Sequence, residues 1–230
     1  MPGIDAFEAW DARARKRVVV HRHRRDASAR KEFARLEQTA TCDPGLVAGA
    51  AFHRILNDEE IEFGDVRLLR PDHPNVVIQT HPGSLLRFPH ASQTSRDDAE
   101  IAVIMRPVLE SVLELHEKTD LVHLDISPAS LATMPSGRCT LVDFHVAEPH
   151  GSVLDRSGFA HHTFSCPDIT SLGVAHRGMD IWSCGILLLR LTWGNASSPK
   201  AAHLRGRLLH PDINKRPSAR EALAHQLFAE

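Results

Sequence analysis

The chain has 230 residues, of which 42% are hydrophobic and 24% charged, and its formal net charge is −2 with histidine neutral. This composition is typical of a globular protein with a sizeable core, and the small net charge argues against direct binding of nucleic acid or a membrane surface. The longest apolar stretch, around Ile181 to Leu191, contains Arg190 and is too short to span a bilayer. Met1 to Trp10 lacks the apolar segment of a signal peptide. The four cysteines form no CxxC pair, which favours buried thiols in a reducing compartment, and we expect a cytoplasmic or nuclear protein.

The first part of the chain predicts a small antiparallel sheet. Arg17 is followed by three valines, and a β-branched run of this kind favours a strand. In the charged segment before it, Phe7 and Trp10 are three positions apart and predict one short amphipathic turn. Further strands are predicted over Val47–Leu56, Ile61–Leu69 and Asn75–Thr80.

A helix is predicted between the first two strands. It runs from Ser28, a suitable N-cap, to Ala40, with Phe33 and Leu36 on the same face as Ala40. We expect it to pack on the sheet.

The second part of the chain is predicted to be mainly helical. A long helix begins at Asp98, because apolar residues then recur at helical spacing, and Pro107 is a potential kink. Residues 148–165 read as a surface loop, and Gly194–Lys215 as a short loop-like region. The last helix opens with a capping box formed by Ser218 and Glu221.

The stretch from Leu121 to Ala147 contains the candidate catalytic and metal-binding residues. Two short apolar runs, Leu121-Val122 and Thr140-Leu141-Val142, precede Asp125 and Asp143, and a turn-rich segment separates them. We predict a hairpin of two strands that holds both carboxylates toward one cleft. Such a pair suits metal-phosphate chemistry, in which one carboxylate orients a nucleophile and the other holds a cation.

These residues resemble the motifs of protein kinases. His123-Leu124-Asp125 followed by Ser130 is similar to the kinase catalytic loop, and Asp143-Phe144-His145 to the metal-binding motif. The run Asp180 to Gly185 resembles the central helix of the large lobe. A narrower resemblance, to spindle-checkpoint kinases of the Bub type, rests on Phe164-Ser165-Cys166 and the divergent metal motif.

The kinase resemblance covers most of the chain and implies an α+β, two-lobed fold. A reduced N-terminal β-lobe would occupy residues 1–81 and a mainly helical C-terminal lobe residues 82–230, as one kinase-like domain. Three residues would have structural roles: Asp180 would accept backbone N–H groups of the His123 loop, and Asp168 would pair with Arg216.

The chain departs from the kinase pattern at the motif positions that bind the nucleotide in active kinases. Leu124, Ser127, Ser130 and His145 stand where the family has Arg, Lys, Asn and Gly. His21 follows the valines in place of the strand lysine, and no glycine-rich loop precedes it.

Several of the remaining polar positions have structural alternatives. Glu32 is the candidate for the helix glutamate that would face the strand lysine, and an exposed helix glutamate is the alternative. Asp125 and Asp143 also have structural alternatives, as a cap of loop N–H groups and as the end of a strand.

These departures predict a pseudokinase that binds another protein, such as a kinase or a multi-protein assembly, as a scaffold or allosteric module. Three residues would occupy vestigial catalytic positions: Asp125, Ser127 and Ser130. Three others would occupy the positions that bind the nucleotide and its metal in an active kinase: His21, Glu32 and Asp143. No cofactor is expected. The alternative is a divergent active Ser/Thr kinase, with Asp125 as base and Asp143 holding ATP and magnesium. The chain is also compatible with being part of a longer protein whose preceding segment completes the small lobe.

Overall fold

The computed structural model is an α+β structure in which a strand-rich part precedes a mainly helical part. It describes residues 4–11, 16–23, 26–43, 45–47, 54–56, 75–80, 84–85, 96–133, 139–154, 163–192 and 198–229. The predicted domain boundary between residues 81 and 82 and the predicted strand at 61–69 lie outside these residues.

The first part contains a four-stranded antiparallel sheet. Its strands are β1 (Ile4–Asp11), β2 (Lys16–His23), β3 (Arg54–Leu56) and β4 (Asn75–Thr80), in the order β1-β2-β4-β3. The bounds predicted for β4 are confirmed. Of the segment predicted as a strand from residue 47 to 56, only β3 and an isolated bridge between Val47 and Leu141 are described.

The predicted amphipathic turn around Phe7 and Trp10 is wrong. Both residues lie in β1, where Phe7 is opposite Val20 and Trp10 is opposite Arg17. The valine-rich strand β2 offers a full-length edge, and backbone pairing over eight residues outweighs the spacing of two apolar side chains.

Helix α1 (Asp26–Gln38) contacts β2 and β4 and is followed by a 3₁₀ turn over Thr39–Thr41. It begins two residues before the predicted N-cap, Ser28, and its packing on the sheet is as predicted.

Two small sheets follow. Strand β5 (Ser84–Leu85) pairs with β7 (Leu131–Thr133), which pairs with β8 (Cys139–Leu141). Strand β6 (Leu121–Val122) pairs instead with β9 (Glu148–Pro149).

The predicted hairpin between the two carboxylate-bearing runs is therefore wrong. Strand β8 pairs with β7, which begins only after Asp125, whereas β6 pairs beyond Asp143. The two aspartates nevertheless end up adjacent, because the crossed pairing brings both strand ends to one place.

The helical part surrounds the central core. Its helices are α2 (Asp98–Lys118), α3 (Asp168–Leu172), α4 (Gly178–Leu191), α5 (Pro199–Leu208) and α6 (Ala219–Leu223), with a 3₁₀ turn over Ile213–Lys215. Helix α2 begins with a capping box of Asp97 and Glu100 and continues through Pro107 as one helix. The capping box of Ser218 and Glu221 at α6 is confirmed.

Two further predictions about the helical part have clear outcomes. The loop-like character predicted for Gly194–Lys215 is wrong, because Ser198 caps α5, which buries Ala201, Leu204 and Leu208. The burial predicted for the central apolar helix is confirmed for α4.

All four cysteines are buried and unpaired. Among the described residues, no helix has the length and apolarity needed to cross a bilayer.

Candidate functional site

The loop after β6 is held by hydrogen bonds to the side chain of Asp180, which lies near the start of α4. The backbone N–H groups of His123 and Leu124 each donate to the Asp180 carboxylate at 2.8 Å, and His116 Nε2 lies 2.8 Å from the same group. Asp180 is completely buried. These bonds hold Leu124 in a left-handed conformation, with φ of 67°, that a bulky side chain rarely adopts.

His123 connects the two carboxylate-bearing segments. Its Nε2 donates to the Val142 carbonyl at 2.9 Å, and its Nδ1 accepts the N–H of Asp125 at 3.4 Å. The imidazole also lies 4.9 Å from the Phe144 ring, centroid to centroid. One buried side chain therefore fixes the backbone on both sides of the site.

Ser130 is directed into its own loop. Its Oγ is 2.8 Å from the Asp125 carbonyl and 3.1 Å from the Ser127 carbonyl, and it accepts the Ser127 N–H at 2.9 Å. Ser127 in turn caps the short 3₁₀ turn Pro128–Ser130. Both serines thus stabilise the loop backbone, and Ser130 is buried.

Asp125, Asp143 and His145 converge, and we refer to them as the carboxylate–histidine cluster. One potential ligand atom from each residue lies within 4.8 Å of the other two, and all three residues are partly exposed. His145 Nδ1 makes a direct hydrogen bond to Asp143 Oδ1. Asp143 has a φ of 68°, a left-handed conformation that aspartate tolerates better than most residues.

The electrostatic surroundings favour a charged imidazole at His145. Burial alone would lower the pKa of His145, but the hydrogen bond to Asp143 and the negative charges of Asp143, Glu32 and Asp125 raise it above its usual value. A histidine whose pKa is raised therefore lies beside Asp143, where the kinase resemblance places glycine.

Glu32 on α1 is completely buried, and the alternative of an exposed helix glutamate is wrong. The negative charge of Glu32 helps to raise the pKa of His145. His21 lies in β2, opposite Ala6 and Val77.

Helix α1 is joined to the segment after Asp143 by an ion-pair cluster, here called the Glu148 cluster. Arg35 and Lys31 both pair with the Glu148 carboxylate, the former at 2.6 Å. Arg35 Nε also donates to the Ala147 carbonyl at 3.0 Å.

The predicted pair between Asp168 and Arg216 is present, with Arg216 Nη2 at 2.5 Å from Asp168 Oδ2. Arg216 also donates to the Gly178 carbonyl at 3.1 Å and lies over the Trp182 ring. Burial raises the pKa of Asp168, but hydrogen bonds from Cys166 and Arg216 lower it overall, below its usual value. This pair connects the start of α3 to the segment before α6.

The protein kinase domain family matches residues 17–199, which include the catalytic loop, the carboxylate–histidine cluster and α4. This match covers most of the chain. The chain belongs to the protein kinase family.

Curated kinases and cell-division proteins are similar to parts of this kinase domain. Cell division control protein 7 of Schizosaccharomyces pombe is 32% identical over 139 residues, which are 54% of this chain and 13% of that protein. Dual specificity protein kinase zak2 of Dictyostelium discoideum is 25% identical over 154 residues, 57% of this chain and 24% of the relative. Mitogen-activated protein kinase kinase 1 of Arabidopsis thaliana is 25% identical over 108 residues, 46% of this chain and 30% of the relative. The chain thus spans less than a third of each relative, and the resemblance to Bub-type kinases stays a prediction.

The kinase family implies a magnesium-bound nucleotide, and the residues present do not fit the usual pair of metal ligands. Asp143 occupies the first position and makes a hydrogen bond to His145. Ser130 occupies the second, and its Oγ is used by the carbonyls of Asp125 and Ser127. A neutral hydroxyl in that arrangement adds no negative charge beside Asp143.

The sequence does not predict the side-chain contacts of three residues on which this site depends. His116 and His123 had a signal, since both lie in or before the recognised loop, but their hydrogen bonds cross to Asp180 and Val142. The motif comparison identifies His145 only as a residue in the place of a glycine. Its spacing of two residues from Asp143, with a buried Phe144 between them, is the signal that both side chains emerge on one side.

Proposed function

We propose that this kinase domain is a pseudokinase, which binds another protein as a scaffold or allosteric module and transfers phosphoryl groups poorly or not at all. The protein partner would be a kinase or a multi-protein assembly in the cytoplasm or nucleus. We propose no bound ATP or magnesium and no direct contact with membrane or nucleic acid.

The observation that carries this proposal is that the side chains at and beside the two metal-ligand positions differ from those that hold magnesium-ATP in kinases: the second position is a serine, and a histidine lies beside the first. Asp143 bonds to His145, and Ser130 bonds to the backbone of its own loop. Phosphoryl transfer depends on charges that act on the phosphates, and each such contact contributes on the order of several kcal/mol to the transition state. The sequence supports the same proposal, because the strand lysine, the loop lysine and the glycine-rich loop are replaced.

The contacts that remain intact are those that hold the fold. Asp180 holds the loop, and Asp168 pairs with Arg216, neither of which requires nucleotide. This division between retained structural contacts and altered phosphate-binding positions is expected when a kinase fold is kept for protein binding.

The second candidate is a divergent active Ser/Thr kinase. It is favoured by the convergence of Asp125 and Asp143, whose ligand atoms lie within 4.8 Å of each other. In this alternative Asp125 acts as base, Asp143 holds the metal, and Lys16, His21 or Arg22 supplies positive charge to the phosphates.

A thermal-shift titration with ATP and magnesium separates the two candidates. Under the proposal, magnesium-ATP binds so weakly that its concentration does not exceed its dissociation constant. Ligand at its dissociation constant adds only about 0.4 kcal/mol, so the unfolding midpoint of the wild-type chain should change by no more than about 1 °C. If the alternative holds, nucleotide at about 100 times its dissociation constant adds about 2.7 kcal/mol and raises the midpoint by about 5–10 °C.

The variant Asp143→Ala tests whether a shift arises at this site, with Asp120→Ala as a matched control because Asp120 is exposed. A magnesium-dependent shift that Asp143→Ala abolishes and Asp120→Ala retains, together with transfer of labelled phosphate to a generic protein substrate, would overturn the pseudokinase proposal.

A further inference from the structure

The carboxylate–histidine cluster combines one nitrogen and two oxygen donors, which the kinase pattern does not. One potential ligand atom from each of Asp125, Asp143 and His145 lies within 4.8 Å of the other two. In a four-coordinate zinc site with bonds of about 2.0–2.2 Å, ligand atoms are about 3.4 Å apart. Bringing all three donors onto one ion requires side-chain rotation, and the ion then replaces the hydrogen bond between His145 Nδ1 and Asp143 Oδ1 and displaces the proton in it.

The backbone that carries these donors is already fixed. The Asp125 carbonyl accepts Ser130 Oγ at 2.8 Å, and the Asp125 N–H meets His123 Nδ1 at 3.4 Å. Asp143 and His145 lie on either side of Phe144, which is completely buried. A site whose supporting backbone is held in place loses little conformational entropy when the ion binds.

The donor types select the ion. Magnesium prefers an octahedral shell of oxygens, whereas imidazole nitrogen suits zinc and neighbouring first-row metals. Two carboxylates and one histidine make a three-ligand set with an open fourth position, as in catalytic rather than structural zinc sites. Partial exposure of all three residues leaves the cluster accessible from solvent.

We propose that Asp125, Asp143 and His145 form a binding site for a divalent first-row transition ion, zinc in particular, which is occupied without nucleotide. The site lies where an active kinase would hold magnesium-ATP, but it differs in ligands and in ion. It does not depend on whether the domain transfers phosphate.

The proposal is tested by titrating the metal-stripped chain with zinc chloride in a calorimeter, with magnesium chloride in a parallel arm and no nucleotide present. We expect zinc to bind at one site per chain and magnesium to bind at least about 10-fold more weakly. His145→Gly and Asp125→Asn should each weaken zinc binding by at least about 10-fold, because removing a ligand costs no less than removing its outer-shell partner.

The matched control is His203→Asn, which removes a histidine on α5 whose Nδ1 lies 2.8 Å from His225 Nε2. Its zinc affinity should equal that of the wild type. Loss of binding in His203→Asn would place the ion at that histidine pair and overturn the proposal, as would unchanged affinity in His145→Gly or equal binding of magnesium.

A measurement on the wild-type chain tests the same proposal if a variant fails to fold. With nitrogen-labelled histidine, zinc should shift the imidazole resonances of one ring, assigned to His145 by their absence in His145→Gly. Zinc-induced shifts confined to other rings would overturn the proposal. Because every arm omits ATP, this result is separate from the pseudokinase test.

Discussion

At the scale of single residues, one buried carboxylate holds a loop in a conformation that its sequence disfavours. Leu124 has a φ of 67°, and a left-handed conformation of this kind costs about 1–2 kcal/mol for a residue with a bulky side chain. The two N–H bonds to Asp180 and the burial of Leu124 offset that cost. The conformation of the catalytic loop is therefore set from α4 and not by the loop itself.

Asp180→Ala should lower the free energy of unfolding by about 3–5 kcal/mol, because it leaves two buried N–H groups and His116 without their acceptor. Urea unfolding followed by circular dichroism measures the loss. Asp120→Ala is the control, since the Asp120 side chain is 70% exposed and 3.7 Å from Arg177, and it should cost less than about 1 kcal/mol. Equal effects of the two substitutions would contradict this account.

The sequence could predict residues whose partners are fixed by a recognised motif. Asp180, Asp168 and Arg216 make the contacts that the kinase resemblance implies. It could not predict His145 as a partner of Asp143, because a motif comparison scores histidine in place of glycine as a loss. Only the geometry shows that the replacement brings a new donor to the cluster.

At the scale of elements, α1 is joined to the chain beyond Asp143 by charge. Arg35 and Glu148 are both largely buried, so their attraction is weakly screened by solvent. Lys31 adds a second contact to the same carboxylate. The Glu148 cluster thus links two elements more than a hundred residues apart in sequence.

Glu148→Gln should loosen α1 without unfolding the helical part. Replacing the carboxylate by an amide weakens charge-assisted bonds by about 1–2 kcal/mol, which is a factor of about 5–30 in the opening equilibrium. Hydrogen exchange of the α1 amides should accelerate by that factor, while exchange in α4 stays unchanged.

Glu117→Gln is the matched control for the Glu148 prediction. Glu117 also pairs with an arginine, Arg220, but their side chains are 41% and 69% exposed. Because such a surface pair contributes little, exchange in α1 should not change. If Glu148→Gln leaves α1 protected, another contact holds this helix.

Elements that depend on local pattern were predictable, and elements that depend on distant pairing were not. The periodicity of α2 and the capping box of α6 are local and were predicted correctly. The partner of β6 is β9, which lies beyond two other strands, and no local signal specifies that pairing. The alternation within Ile4–Asp11 is weak, so the sequence does not predict β1, which is defined by its pairing with β2.

At the scale of the whole molecule, histidines recur in one local arrangement. The chain has 16 histidines. In the described part, the Nδ1 atoms of several accept the N–H two residues later, namely those of His123, His176, His210 and His225. Protonation of such a ring places a proton on Nδ1 and removes the acceptor, so these bonds exist only with neutral imidazole.

The surroundings of His225 make its contribution to stability depend on pH. Burial lowers the pKa of His225 below its ordinary value of 6.5, and the positive charges of His203, Arg207 and Lys200 lower it further. The folded state therefore binds this proton less readily than the unfolded state. The stability that His225 contributes is complete above about pH 6.5 and is lost as the pH falls through the lowered pKa.

His225→Asn should consequently flatten the dependence of stability on pH between about 7.5 and 5.5. Asparagine can accept the Leu227 N–H but does not titrate, so the variant should lose a slope of at most about 1.4 kcal/mol per pH unit. Urea unfolding midpoints of both proteins, measured across this range, give the difference directly. His210→Asn is the control, because His210 accepts the Asp212 N–H at 3.0 Å in the same local arrangement but at a more exposed position. A His225→Asn curve parallel to wild type, or an equal flattening in His210→Asn, would show that burial of this ring does not govern the acid response.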